Sequence, residues 1–176
     1  LGAAAAGGRI ALLTHHPLAT GGAHGSRGAD WKANLFPLRD LDANLWVPVP
    51  VLGSLWVAYR DAVGTGQDLS SRRYRRLLAD LGRALDAHPA LFQASGHDHN
   101  IQVLEAPVPA ARWVLVTGSG IWPKGAAVVR RPSTRYASER AGFLRVELGR
   151  GGTPRLVALE ATAAGGSAER FRTDLR

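Results

Sequence analysis

Four of the six histidines in this 176-residue chain fall in two short segments. His15 and His16 follow one apolar run, and His97 and His99 stand two residues apart after another. Neutral imidazole is the commonest side-chain ligand for transition metals. Two histidines at i and i+2 on a turn that leaves a strand can point toward one position, and a histidine from the end of another strand can complete the set. The pattern therefore predicts a metal site at strand ends.

These segments also resemble a known family. Residues 11–18 (ALLTHHPL), 21–25 (GGAHG) and 95–102 (SGHDHNIQ) are similar, in that order, to the second half of a calcineurin-like metallophosphoesterase. The purple, or tartrate-resistant, acid phosphatase branch is the most similar. Residues 115–120 (LVTGSG) resemble the strand and glycine turn that follow the last histidine pair in that branch.

The resemblance implies a fold and an activity. The fold class is α/β, and this chain would form the C-terminal part of a four-layer α/β/β/α sandwich. The activity would be hydrolysis of phosphate mono- or diesters at a binuclear centre of two transition-metal ions, chosen from iron, zinc and manganese. By resemblance, His15 and His97 would bind one ion and His99 the other.

Four other polar residues receive roles from the same resemblance. His24 occupies the position of a catalytic histidine that contacts the substrate phosphate and protonates the leaving group. An imidazole of near-neutral pKa suits that task, although a loop histidine among glycines can also be an ordinary surface residue. His16, Asp98 and Asn100 are expected to surround and orient the ligands rather than bind metal.

The chain departs from the family in its first half. The family's Gly-Asp-x-x-Asp and Gly-Asn-His-Asp/Glu motifs are absent from the 176 residues, and its Asp-x-His has no counterpart ahead of His15. The chain is therefore expected to be a C-terminal portion whose partners are the missing N-terminal half and a phosphoester substrate. Alone it should be inactive. The alternative is a metal-binding or interaction module without catalysis, and the two differ in whether carboxylate and amide ligands lie upstream.

Composition excludes several other classes of function. The chain has no cysteine, which excludes disulfides and thiol catalysis and leaves the compartment open. Its net charge of +8 comes almost wholly from scattered arginines, without the basic and aromatic platform typical of nucleic-acid binding, so no nucleic acid is expected. The most apolar window, residues 45–59, is too short to span a bilayer. Abundant Ala, Gly and Arg indicate a bacterial, GC-rich gene.

Hydropathy patterns predict the elements that must position these residues. Residues 70–87 predict an amphipathic helix that begins after Ser70 or Ser71. Strands are predicted at residues 9–14, 91–95, 101–105, 112–117, 144–148 and 155–160.

The remaining segments have no clean period. Residues 1–8 read as a linker or the end of a preceding helix, 9–162 as the domain, and 163–176 as a polar, weakly ordered tail. The Trp- and Pro-rich stretch 31–68 reads as a long ordered insertion. It would be either a substrate lid or additional core and contact surface.

Overall fold

The computed structural model describes residues 9–25, 31–40, 42, 44–120, 126–149 and 152–176. The fold is mixed α/β with two sheets and few helices. The expected linker at 1–8 lies outside the described residues, and so do residues 26–30, which follow the glycine-rich segment 21–25. The described strands are β1 (Ala11–Leu13), β2 (Ala90–Ser95), β3 (Ile101–Val108), β4 (Ala111–Thr117), β5 (Thr134–Ser138), β6 (Gly142–Glu147), β7 (Arg155–Ala161) and β8 (Ser167–Asp174).

The larger sheet has five strands in the order β1-β2-β4-β3-β5. Strands β1, β2 and β4 run parallel, and β3 is antiparallel to both β4 and β5. The parallel strands are short and almost entirely apolar, as expected where a sheet is covered on both faces. Strand β3 extends beyond the predicted residue 105, through an irregular register that includes Pro107. The edge strand β5 was not predicted.

The smaller sheet is antiparallel, in the order β6-β7-β8. Its first hairpin joins Phe143 to Leu159 and Leu144 to Ala158, as the alternating pattern predicted. The prediction of a weakly ordered tail is wrong, because residues 167–174 form β8 and pair with β7 over its whole length. The polar residues of β8 are those of an edge strand with one exposed face, which composition alone does not distinguish from a tail.

The faces of the larger sheet bury alternate side chains. Val114, Val116 and Leu104 pack with Leu85, which follows the helix, and with Leu78 and Leu81 on the helix itself. This is α3 (Arg72–Ala84), whose N-cap is Ser71, as predicted: the Ser71 hydroxyl accepts a hydrogen bond from the Tyr74 amide at 3.3 Å. The predicted apolar stripe of α3 therefore faces the sheet.

The opposite face packs against the smaller sheet. Val103, Trp113 and Leu115 form a second core cluster with Leu156 and, partly buried, Leu144. Strand β6 lies against β3 and β4. Two adjacent core layers therefore enclose the larger sheet and hold its strand ends in place.

The insertion contains two helices and a 3-10 turn: α1 (Trp31–Leu35), the turn Pro37–Asp40 and α2 (Pro50–Ala62). The sequence did not predict α2, because the apolar residues of this helix are distributed around its whole circumference instead of forming one stripe. Gly53 and Val57 are buried, whereas Val51, Leu52 and Leu55 are exposed. Pro50 occupies the first helical turn, where its missing amide costs nothing. The longest described helices have 13 residues, and none of them is long and apolar enough to cross a membrane.

Candidate metal centre

The histidine segments meet at one edge of the larger sheet. Strands β1 and β2 are parallel, with Leu13 paired to Ala94, so their carboxyl ends lie side by side. The amide of Thr14 donates to the carbonyl of Ala94 at 3.1 Å and extends this pairing to the loop. Carboxyl ends of parallel strands are the usual location of ligand sites in α/β folds.

Three imidazoles converge there. His15, His16 and His97 each offer one nitrogen, and these three nitrogens lie within 4.8 Å of one another. Nδ1 of His97 lies 3.3 Å from Nε2 of His15. The ring centroids of His16 and His97 are 4.0 Å apart, and those of His24 and His97 are 4.2 Å apart. We call His15, His16, His24 and His97 the histidine cluster.

The backbone at His97 has an unusual conformation that supports this convergence. Its φ is +65°, in the left-handed region that side chains other than glycine seldom adopt. The conformation reverses the chain between β2 and the antiparallel β3. Such backbone conformations are concentrated at functional sites.

The electrostatics of His97 favour a neutral ring. Burial, and then the neighbouring histidines, lower its pKa from 6.5 to about 4, so the imidazole is uncharged at neutral pH. Burial lowers the pKa of His16 for the same reason. Within the part of the chain that the structure describes, Nε2 of His97 is buried without a hydrogen-bond partner. A neutral, buried and unsatisfied nitrogen is what a metal ion requires of a ligand.

Asp98, in the loop that follows β2, contacts the loop that contains Thr20 and Gly22. It is buried, and its carboxylate accepts a hydrogen bond from the Thr20 hydroxyl. A Cβ at Gly22 would lie 2.5 Å from Cγ of Asp98, and a Cβ at Gly118 would lie 2.1 Å from its carbonyl oxygen. Both glycines therefore permit close packing around Asp98.

A buried amide network continues from Thr20. Nε2 of Gln102 donates to the Thr20 hydroxyl at 2.8 Å and to Oδ1 of Asn100 at 2.7 Å. Oε1 of Gln102 accepts from the Gly21 amide at 2.7 Å. Asn100 and Gln102 are fully buried. The network holds the loop around His97 against residues 21–25, which we call the glycine loop.

Two side chains, one from the larger sheet and one from α3, hydrogen-bond to the segment that contains His15 and His16. Gln93, fully buried on β2, donates through Nε2 to the Thr14 hydroxyl at 2.6 Å and accepts from the Leu18 amide at 3.3 Å. The hydroxyl of Tyr74 donates to the carbonyl of Pro17 at 2.5 Å. Sheet and helix α3 therefore both orient this loop.

His24 contacts a carboxylate from the insertion. Its Nδ1 lies 3.2 Å from Oδ1 of Asp68, which is buried. Asp68 also accepts a hydrogen bond from Nε of Arg60 at 3.0 Å. Although burial alone would raise its pKa, the hydrogen bonds from His24, Arg60 and Thr65 hold the pKa of Asp68 well below its ordinary value.

The predicted site residues are thus not all brought together. His15, His97 and His24 meet, and His16, expected to flank the ligands, is a member of the same three-nitrogen group. His99 is exposed and lies outside that group. Asp98 is buried and accepts a hydrogen bond from the Thr20 hydroxyl, which agrees with the expected role of orienting the loop. The assignment of ligands to two separate ions stays a prediction.

The donor set fits a transition metal. Imidazole nitrogens suit zinc, iron, copper and nickel, and three protein ligands with an open fourth position are typical of catalytic zinc sites. The neutral ring of His97 agrees with that use.

Comparison with the models of known protein families gives no match, and comparison with curated protein sequences gives none either.

Sequence reasoning missed three supporting side chains: Thr20, Gln93 and Asp68. Their types are common in loops and strands, and none belongs to a local motif. Asp68 lies 44 residues from His24. Only the fold brings such distant partners together.

Proposed function

We propose that this chain carries the histidine ligands of a metal-dependent phosphoester hydrolase of the calcineurin-like type. The observation that carries the proposal is the convergence of His15, His16 and His97 within 4.8 Å at the ends of adjacent parallel strands. His24, whose ring lies beside that of His97, agrees with a role in substrate binding.

His15 and His97 would hold one metal ion, with His16 next to them. When bound, such an ion supplies Lewis acidity, neutralises phosphate charge and lowers the pKa of water. His99 would serve the second ion of a binuclear centre, together with carboxylate and amide ligands from an N-terminal half. In this proposal the two sheets and α3 form three of the four layers of the sandwich, and the remaining layer comes from that half.

His24 would act on the substrate. Its protonated imidazole would bind the phosphate and donate a proton to the leaving oxygen, which typically contributes about 10²–10⁴-fold. The flanking glycines leave the backbone of residues 21–25 open to close approach by a ligand.

A second candidate is a metal-binding module without catalysis. It is favoured by the composition of the three-nitrogen group, which contains only imidazoles. Two cations held close together by neutral ligands alone would repel strongly. The candidates differ in whether phosphoesters are hydrolysed once a carboxylate-bearing N-terminal half is added.

The test is to load the chain with Mn²⁺, Zn²⁺ or Fe²⁺, remove excess metal and measure metal content and turnover of p-nitrophenyl phosphate and bis-p-nitrophenyl phosphate. We expect bound metal without turnover, because the histidines alone supply about half of a binuclear ligand set. The variants His16→Ala and His99→Ala sort the ligands, with His88→Ala as the control. No metal retention by the wild-type chain, or turnover by the chain alone that His97→Ala abolishes, would contradict the proposal.

A further inference from the structure

Asp68 is the most heavily hydrogen-bonded carboxylate near the histidine cluster. Its Oδ2 accepts from Nε of Arg60 at 3.0 Å, from the Thr65 amide at 2.8 Å and from the Thr65 hydroxyl at 2.9 Å. Its Oδ1 accepts from the terminal guanidinium nitrogen of Arg60 and lies 3.2 Å from Nδ1 of His24. The side chain of Asp68 is only 3% exposed. Among the residues that the structure describes, the hydrogen bonds of this carboxylate other than the one with His24 come from the insertion itself.

The contact with Arg60 settles the direction of the hydrogen bond to His24. A carboxylate paired through both oxygens with a guanidinium is ionised, and an ionised carboxylate only accepts hydrogen bonds. Nδ1 of His24 must therefore be the donor. A neutral His24 then carries its proton on Nδ1 and leaves Nε2 as the nitrogen that a ligand can approach.

The same segment also fixes the backbone around His24. The Leu69 amide donates to the carbonyl of His24 at 2.9 Å, and Arg60 donates to the carbonyl of Ala23 at 3.2 Å. Arg60 lies on α2, and Leu69 precedes α3. The glycine loop is thus held from one side by the insertion and from the other by the amide network of Gln102.

We propose that Asp68 is the positioning residue of His24: its hydrogen bond keeps the proton on Nδ1 in the neutral ring and aims Nε2 at the phosphoester, so that the proton donated to the leaving oxygen is the one that Nε2 carries in the imidazolium form. This inference rests on the proposed function for the role of His24 but not for the tautomer itself. It gives the insertion at 31–68 a specific role, since α2 supplies the Arg60 that keeps Asp68 ionised. The arrangement is chemically the one in which a buried carboxylate orients a histidine for proton transfer.

The substitution Asp68→Asn gives the sharpest test. Three donors converge on Oδ2, against one from Arg60 on Oδ1. The amide oxygen of Asn is therefore favoured at the position of Oδ2 and its NH₂ group at the position of Oδ1, where it replaces the contact with the terminal nitrogen of Arg60. That NH₂ group would donate to Nδ1 of His24, and the ring would then carry its proton on Nε2. A single substitution without change of shape should therefore invert the tautomer.

The measurement is the tautomer of His24 by long-range ¹H–¹⁵N correlation in the metal-free chain, at a pH where the ring is neutral. The wild type should favour Nδ1–H at least about 10-fold, because hydrogen bonds to charged acceptors are that strong. Asp68→Asn should favour Nε2–H, and Asp68→Ala should show no strong preference. Asp80→Asn, on the exposed face of α3, is the matched control and should leave His24 unchanged.

Two results overturn the inference: a wild-type His24 protonated on Nε2, or an Asp68→Asn variant that folds and retains Nδ1–H. Amide spectra report whether each variant folds, and if Asp68→Asn does not, the wild-type tautomer alone decides. Metal titration of the same samples separates the two proposals. A chain that shows the expected tautomers but binds no metal refutes the proposed function and leaves the Asp68 assignment in place.

Discussion

The histidine cluster and the cluster around Glu160 both gather titratable groups at the boundary of a sheet, yet they satisfy them differently. Glu160 on β7 accepts from the Tyr136 hydroxyl at 2.7 Å and from Ser138, both on β5. Arg140 and Arg170 lie within 4.0 Å of its second oxygen. We call these five residues the glutamate cluster; every polar atom of its central carboxylate has a partner within the chain.

The polar atoms of the histidine cluster are not all satisfied in this way. Its rings contact one another, and Nε2 of His97 is buried without a partner among the described residues. Burial, and then the repulsion that each protonated ring would exert on the next, lowers the pKa values of His97 and His16. Such an arrangement costs stability unless something binds to it.

The comparison teaches how to separate structural from functional polar groups. A buried polar group that the chain satisfies by itself, like Glu160, connects elements; here it joins the two sheets. A group that the chain leaves unsatisfied and strained, like His97, is where we propose that an external ligand binds. Four substitutions, two at His97 and two at Glu160, test this distinction.

The largest effect is expected from His97→Ala on metal binding. Loss of one of three imidazoles should lower the affinity for Zn²⁺ by more than about 100-fold, beyond the cost of losing an outer partner of a ligand. Calorimetric titration or competition with a chelator measures this. His88→Ala, at an exposed position in the turn that follows α3, and Glu160→Ala should both keep wild-type affinity. Equal affinities for His97→Ala and His88→Ala would show that the histidine cluster does not bind the metal, and the proposed difference between the two clusters would be wrong.

Glu160→Ala should act on stability instead. Loss of a charged acceptor for Tyr136 and Ser138 should reduce the free energy of unfolding by about 2–3 kcal/mol, with little added by the exposed arginines. Urea unfolding of the metal-free chain measures it. A loss below about 0.5 kcal/mol, the size of an ordinary surface substitution, would show that the glutamate cluster contributes nothing to folding.

The same residue predicts a pH dependence. Burial alone would raise the pKa of Glu160, but Ser138, Tyr136 and the arginines lower it below its ordinary 4.5. A carboxyl whose folded pKa is depressed stabilises the protein above its unfolded pKa, and this contribution is lost as the pH falls through the folded value. The stability difference between wild type and Glu160→Gln should therefore shrink below pH 4.5. A difference that stayed constant down to the acid transition would refute this assignment.

The smallest effect concerns the backbone of His97. At φ +65°, glycine avoids the steric cost that other residues meet in the left-handed region. His97→Gly should therefore be about 1 kcal/mol more stable than His97→Ala, while neither binds metal tightly. Thermal unfolding of the two variants gives the comparison. An alanine variant as stable as the glycine variant would mean that the loop relaxes out of the left-handed conformation without cost.

Much of the fold was predictable because its signals are local. Helix α3 has a regular apolar stripe and a serine N-cap, and the strand that ends at Ser95 is a short apolar run before glycine. Strands β5 and β8 were not predictable, since both are largely polar edge strands. The partner of β5 is the distant strand β3, whereas β8 forms a hairpin with β7 but lacks an apolar alternation that would reveal it. Helix α2 lacked a stripe, because only Gly53 and Val57 are buried.

The candidate site divides in the same way. The spacing of His15 and His97 after two apolar runs was enough to expect their convergence, and the parallel pairing of β1 and β2 supplies the geometry. His16 could not be placed relative to His15 without coordinates, because neighbouring residues in a loop have no periodic facing. The choice between them as ligands stays a prediction.

By itself the sequence determined which residue types were available and where the regular elements begin: scarce imidazoles at strand ends, apolar runs for the central strands and a capped helix. Only the tertiary structure decided which distant groups meet, such as Asp68 with His24 and Glu160 with Tyr136. The physical reason is range. Periodicity and capping act over a few residues, whereas a buried hydrogen bond between residues 44 positions apart exists only once packing has closed the loop.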